Sequence, residues 1–280
     1  MIDRLNKLTT TYKTSFLLGM MGFNFLLTGV DVLMAHSQNN FFRWELVPLV
    51  FSPLAVLAIL ARLIFPANNV AKRFFQTAMW LGVFVGVAGT FFHLTGNATS
   101  SSESFYRLLI EGSPVAAPIA FAGISSYALV TEHYRGTARR SKLLILVGLG
   151  FLGAVVAAFL DHARLGFIPS YTLIPIVSGT LAVISCFYLT NQANRMETSI
   201  YLSILALNLL VGLLGFGFHV LGDLAGTQSI IWARFLYRNP LLGPLLFCNL
   251  SLLGGLSILP ESAVKLEVNH REEPIVVGST

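Results

Sequence analysis

GVAGTFFHLTGN (86–97) and GLLGFGFHVLGD (212–223) are the two stretches that decide how this chain is built. Laid one over the other, they pair Gly86 with Gly212, Gly89 with Gly215, Phe92 with Phe218, His93 with His219 and Gly96 with Gly222, an offset of 126 residues. The same offset runs through the chain without a gap. It brings Leu17, Leu18, Gly22, Phe25, Leu26 and Val30 onto Leu143, Leu144, Gly148, Phe151, Leu152 and Val156. His36 meets His162, Phe41 meets Phe167, Ser52 meets Ser178, Pro114 meets Pro240 and Pro118 meets Pro244. Apolar residues coincide by chance in any oily sequence; glycine, proline and histidine do not. Self-similarity at a fixed offset is the mark of a repeated structural unit.

Composition names the solvent of that unit. The chain has 280 residues, of which 55% are hydrophobic and 11% charged, and its mean hydropathy is +0.73. A soluble domain carries about 25% charged residues, so too few are present here to coat a water-facing surface. Eight apolar runs fall at 15–36, 45–65, 74–96, 114–132, 142–162, 169–191, 199–222 and 240–259. Each is about twenty residues, the length of helix that crosses a hydrocarbon core of about 30 Å. The expectation is an all-α integral membrane protein of eight transmembrane helices, arranged as two tandem four-helix repeats. Four helices per unit is an even number, so both copies insert with the same orientation, related by a pseudo-two-fold axis along the membrane normal.

The chain divides into an N-terminal segment (1–14), a first repeat (15–132), a linker (133–141), a second repeat (142–259) and a polar tail (260–280). The first apolar run is too long for the core of a cleaved signal peptide and reads as a retained helix. Of the 18 Lys and Arg, thirteen fall on the side that holds both termini; only Arg43, Arg107, Arg164, Arg234 and Arg238 fall on the other. Positive residues mark the cytoplasmic side, which places both termini there and suggests a bacterial inner membrane. The net charge of +5 thus reports topology, and nucleic acid is not an expected partner. Cys186 and Cys248 sit in apolar runs at different depths and read as small buried residues.

The glycines at 86, 89, 212 and 215 flatten a helix face for close packing. Pro114 and Pro240 suit a first helical turn, with Pro118 and Pro244 loosening the helix one turn later. SFYRLLIEG (104–112) and SIIWARFLYRN (229–239) mix aromatic, arginine and apolar residues, as a short interfacial helix does. The outer loops 97–113 and 223–239 are therefore the expected contact surface for a protein partner.

Candidate chemistry rests on histidine. His36, His93, His162 and His219 each end an outward-running helix at a similar distance from its start, which places all four at one depth near the extracytoplasmic boundary. Imidazole is a frequent metal ligand and a haem axial ligand, and ionisable groups at membrane depth point to function. The four residues make a candidate site, shared or in two equivalent copies, for haem b, a transition metal (iron, copper or zinc) or a quinone. The alternative is four interfacial histidines bonded to carbonyls or headgroups. Position near the helix ends speaks against a mid-bundle haem, and no HxxxH, HExxH or Cys–His spacing selects a metal.

Asp161 adjoins His162, Asp223 follows His219 by four residues, and Asn97 is the repeat partner of Asp223. These three are candidates to orient the imidazoles from behind. Asp31, whose counterpart is Ala157, is a candidate proton relay or one half of a buried pair. Glu45 and Glu111 read as solvated caps, and Asn24, Asn208 and Asn249 as hydrogen-bonding links between helices.

Together these features favour a membrane-embedded redox subunit that exchanges electrons with a periplasmic partner. Two four-helix bundles resemble, in architecture alone, the quinone-interacting anchors of some periplasmic oxidoreductases. A transporter or metal permease with its site at the repeat interface is the alternative, and an anchor without a cofactor is the third reading.

Overall fold

A computed structural model describes residues 2–37, 41–99, 109–110, 112–191, 194–226, 234 and 241–260, with the backbone alone at 2–11 and 97–99. Among these residues all regular structure is helical. The helices are α1 (Ile2–His36), α2 (Leu46–Ile64), α3 (Asn69–Thr99), α4 (Ile119–His133), α5 (Gly136–Ala163), α6 (Ile174–Tyr188), α7 (Arg195–Leu224) and α8 (Leu242–Ile258). Short 3-10 turns, Arg43–Glu45 and Ser170–Leu173, lead into α2 and α6. Six segments, built on α1, α2, α3, α5, α6 and α7, are long and apolar enough to cross a membrane; α4 and α8, at 15 and 17 residues, are shorter.

Exposure is inverted relative to a soluble protein. Val50 (68% exposed), Phe84 (68%), Leu57 (59%) and Ile184 (60%) stand outward, whereas Ser125, Asn208 and Ser257 are fully buried. Outward apolar side chains are stable against lipid tails, and inward polar groups find partners only inside the protein. Asn208 does so by donating to Ser178 O (3.0 Å) and Ile204 O (2.9 Å).

In the first half α1 packs on α2, α2 on α3, α3 on α4 and α4 back on α1; in the second, α5, α6, α7 and α8 make the same ring. The halves meet through α4 against α5 and α1 against α8. Close approach within each ring depends on glycine. A Cβ on Gly86 would lie 2.5 Å from Ala122 N and 3.0 Å from Pro118 O; one on Gly212 would lie 3.1 Å from Cys248 N and 2.7 Å from Pro244 O. At matching positions beyond α1 and α5, Phe41 (φ 51°) and Phe167 (φ 58°) both adopt the left-handed conformation that bulky residues seldom take.

Several helix ends differ from the apolar runs. α1, α3, α5 and α7 start 4–13 residues earlier than expected, at Ile2, Asn69, Gly136 and Arg195. A hydropathy run marks the segment that must lie in lipid, and nothing stops a helix from continuing into the polar layer. The expected linker 133–141 shrinks accordingly to the residues between His133 and Gly136. α4 begins only after Pro118, because Pro114–Pro118 forms turns with Ala117 N–H bonded to Pro114 O. Pro244 lies within the first turn of α8, where no amide hydrogen is required. The amphipathic stretches 104–112 and 229–239 lie largely outside the described residues, as does the tail after Pro260.

Candidate functional site

Two helices of the first half, α1 and α3, end at the same face and carry His36 and His93. The ring centroids stand 6.4 Å apart with the planes at 75°. Each imidazole has an oxygen beside its Nδ1. His93 Nδ1 is 3.0 Å from the carbonyl oxygen of Pro114, in the turn before α4. His36 Nδ1 is buried and 3.2 Å from Glu45 Oε1, an ion-pair contact outside hydrogen-bond alignment. Glu45 is itself fixed, because its other oxygen accepts the Phe42 N–H (2.9 Å) and closes the 3-10 turn at the start of α2.

A carbonyl or carboxylate oxygen can only accept, so both neighbours favour the tautomer protonated on Nδ1. That leaves Nε2 of each ring as the lone-pair nitrogen, and neither Nε2 has a hydrogen-bond partner among the described residues. This is the arrangement by which metal-ligating histidines are oriented. Glu45 caps its 3-10 turn, as expected of it, and also stands beside His36. Its repeat position holds Tyr171, so the repeat carries no signal for it.

The second half carries His162, near the end of α5, and His219, on α7, within electrostatic range of one another. Its surroundings differ. Tyr171 packs its ring on Phe218 at 5.6 Å between centroids. Asp161 is exposed on α5, within electrostatic range of Arg164 and His219. Arg164 Nε donates to the carbonyl of Ile110, so this end of the second half is tied to a segment of the first. Asp223 is buried at the end of α7, where Arg234 Nη1 donates to the carbonyls of Asp223 (3.3 Å) and Ala225 (3.0 Å).

The structure sets His36 against His93 and places His162 within electrostatic range of His219. Among the described residues no three His, Cys, Asp or Glu side chains are grouped to hold a metal ion. Asp31 is exposed on the outside of α1 with no hydrogen-bond or ionic partner among the described residues. The Asn97 side chain lies outside the described residues. Both cysteines are free and buried, as expected. No family model, curated protein or solved structure matches the chain.

Proposed function

We propose that this chain is a membrane-embedded redox subunit with two histidine-pair sites, His36/His93 and His162/His219, at its extracytoplasmic face. The single observation that carries the reading is the His36–His93 pair. The ring centroids are 6.4 Å apart, near enough that one metal ion could be held by both imidazoles. With two nitrogen donors and no third protein ligand among the described residues, the group best matched is one that brings its own remaining donors. A b-type haem does so, supplying four nitrogens and a one-electron couple. His36 and His93 would hold it through Nε2, while Glu45 and the Pro114 carbonyl fix the rings. Electrons would pass to or from a periplasmic partner docked on the outer loops 97–113 and 223–239.

The eight-span, two-repeat topology belongs to the same proposal. It is supported by the matching rings of helices, by the matching contacts of Gly86 and Gly212, and by the left-handed Phe41 and Phe167. The buried Tyr127 hydroxyl donates to Leu253 O at 3.2 Å across an interval of 126 residues, the repeat offset itself. Residues so related meet only at a two-fold axis. α4 and α8 would span with help from their outer turns and local thinning of the bilayer. The lysine and arginine asymmetry puts both termini in the cytoplasm of a bacterial inner membrane.

The test is an absorption spectrum and metal analysis of detergent-purified protein beside a variant with His36, His93, His162 and His219 all changed to Ala. A Soret band with stoichiometric iron that is lost in the variant is the expected result. Folded wild-type protein free of haem, metal and quinone after expression in a haem-sufficient host would overturn the reading in favour of a cofactor-free anchor.

A further inference from the structure

At the end opposite the histidines, a cleft of about 620 Å³ lies between the start of α3 and the end of α4, lined by Arg73, Gln76, Thr77, Trp80, Leu81 and His133. We propose that it binds an anionic phospholipid, with the phosphate at Arg73 and the Gln76 amide, which His133 holds in place, and an acyl chain along Trp80 and Leu81. The proposal does not depend on the redox reading.

Three observations carry it. The first is depth. Arg73, Gln76, Thr77 and Trp80 follow one face of α3 at intervals of three and four, so the cleft runs about 10 Å along the helix from guanidinium to indole. Its upper end is made of hydrogen-bonding groups and its lower end is apolar, with Trp80 64% exposed toward the surrounding lipid. A free phosphate would satisfy only the upper end; a phospholipid satisfies both.

The second is charge. Arg73 and its neighbour Lys72 have no ionic partner among the described residues. The nearby carboxylate, Glu132, is already engaged: its Oε1 accepts from Arg62 Nη2 at 2.6 Å and Nε at 3.0 Å. The rim of the cleft is therefore left net positive, the condition under which pockets between membrane helices take anionic headgroups. His133 is held in place by Leu129 O, 2.8 Å from Nδ1, and Gln76 Nε2 lies 3.1 Å from its Nε2.

The third is asymmetry. At the offset that matches the two halves, Arg73, Gln76, Trp80 and His133 face Ser199, Leu202, Ala206 and Leu259. The cation, the imidazole and the indole belong to the first half alone, so one site per chain is expected.

The experiment uses the full chain with Trp44→Phe and Trp232→Phe, leaving Trp80 as the only tryptophan, in vesicles of brominated phosphatidylglycerol mixed with unlabelled phosphatidylcholine, and in the reverse mixture. Trp80 fluorescence should be quenched by brominated phosphatidylglycerol at a mole fraction at least about fivefold lower than by brominated phosphatidylcholine. Arg73→Ala should abolish that preference, whereas Arg195→Ala, at the same end of the second half, should leave it intact. Equal quenching by the two lipids, or a preference that survives Arg73→Ala, would overturn the proposal. So would a preference cancelled by millimolar inorganic phosphate, which would make the ligand a free anion. Both arginines are exposed, and helical circular dichroism of each variant verifies its fold.

Discussion

Asn24 on α1 and Asn249 on α8 exchange side-chain hydrogen bonds across the junction of the two halves: Asn24 Nδ2 donates to Asn249 Oδ1 at 3.2 Å, and Asn249 Nδ2 to Asn24 Oδ1 at 2.6 Å. At the repeat offset their counterparts are Gly150 and Gly123, so the amide pair joins the α1–α8 contact and has no equivalent where α4 meets α5. Either single change to Ala should destabilise the protein by about 1–2 kcal/mol, since it strands the other amide in an apolar interface. The double variant should lose less than the two singles together, with a coupling of about 0.6–1.7 kcal/mol. Unfolding in mixed micelles measures all four proteins; strict additivity would show that the pair is incidental.

Lys13 and Arg139, also one offset apart, each reach the end of the other half's last helix. Lys13 Nζ donates to Ser257 O (3.2 Å) and Leu259 O (2.5 Å) beyond the last turn of α8, and Arg139 Nε donates to Tyr134 O (2.6 Å) beyond α4. Both side chains are buried, and each cation satisfies carbonyls that the helix end leaves without an intrahelical partner. Lys13→Ala or Arg139→Ala should lower stability by about 2–4 kcal/mol, visible as a drop in Tm. Arg139→Lys should recover little, because Arg139 Nη1 also donates to Thr14 Oγ1 (3.1 Å) and a single ammonium cannot serve both acceptors with the same fork.

Close packing of α3 on α4 and of α7 on α8 makes Gly86 and Gly212 intolerant of a methyl group. Gly86→Ala and Gly212→Ala push a Cβ against helix backbone, at a cost of about 1–3 kcal/mol each. Gly19→Ala, at a helical position with nothing within 4 Å of the added carbon, should be neutral or slightly stabilising. Thermal denaturation of the three variants checks the contrast.

At the histidine end, Glu45→Gln leaves the 3-10 turn an acceptor but removes the charge beside His36 Nδ1. On the redox reading, affinity for the bound group at this pair should fall about 10–100-fold. His133→Ala, at the opposite end, should leave that affinity unchanged. Titration of the apo-protein with haemin, read by its absorption, distinguishes the two; equal effects would show that Glu45 acts only on the fold.

What was legible beforehand follows a pattern. Gly86, Gly89, Gly212 and Gly215 pointed to close helix packing from spacing alone, because a missing side chain at one-turn intervals has one consequence wherever the helix lies. That Glu45 stands beside His36 was not legible: it depends on where the turn before α2 lies, and Phe41 enters that turn in a left-handed conformation that its sequence does not advertise. The outward position of Asp31 was not legible either, since depth in the membrane can be counted along the chain while the direction of a side chain around the bundle cannot.

By itself the sequence determined that this chain is helical, that its apolar segments belong in lipid, and that its histidines lie at helix ends, because each of these is a property of one segment against its solvent. Only the tertiary structure decided that the histidines stand in pairs, that Glu45 and the Pro114 carbonyl lie behind one pair, and that α4 waits for Pro118 to begin. Those are distances between segments. They are set by how closely glycine lets two helices approach and by the turn each loop makes, and no periodicity along a single helix records them.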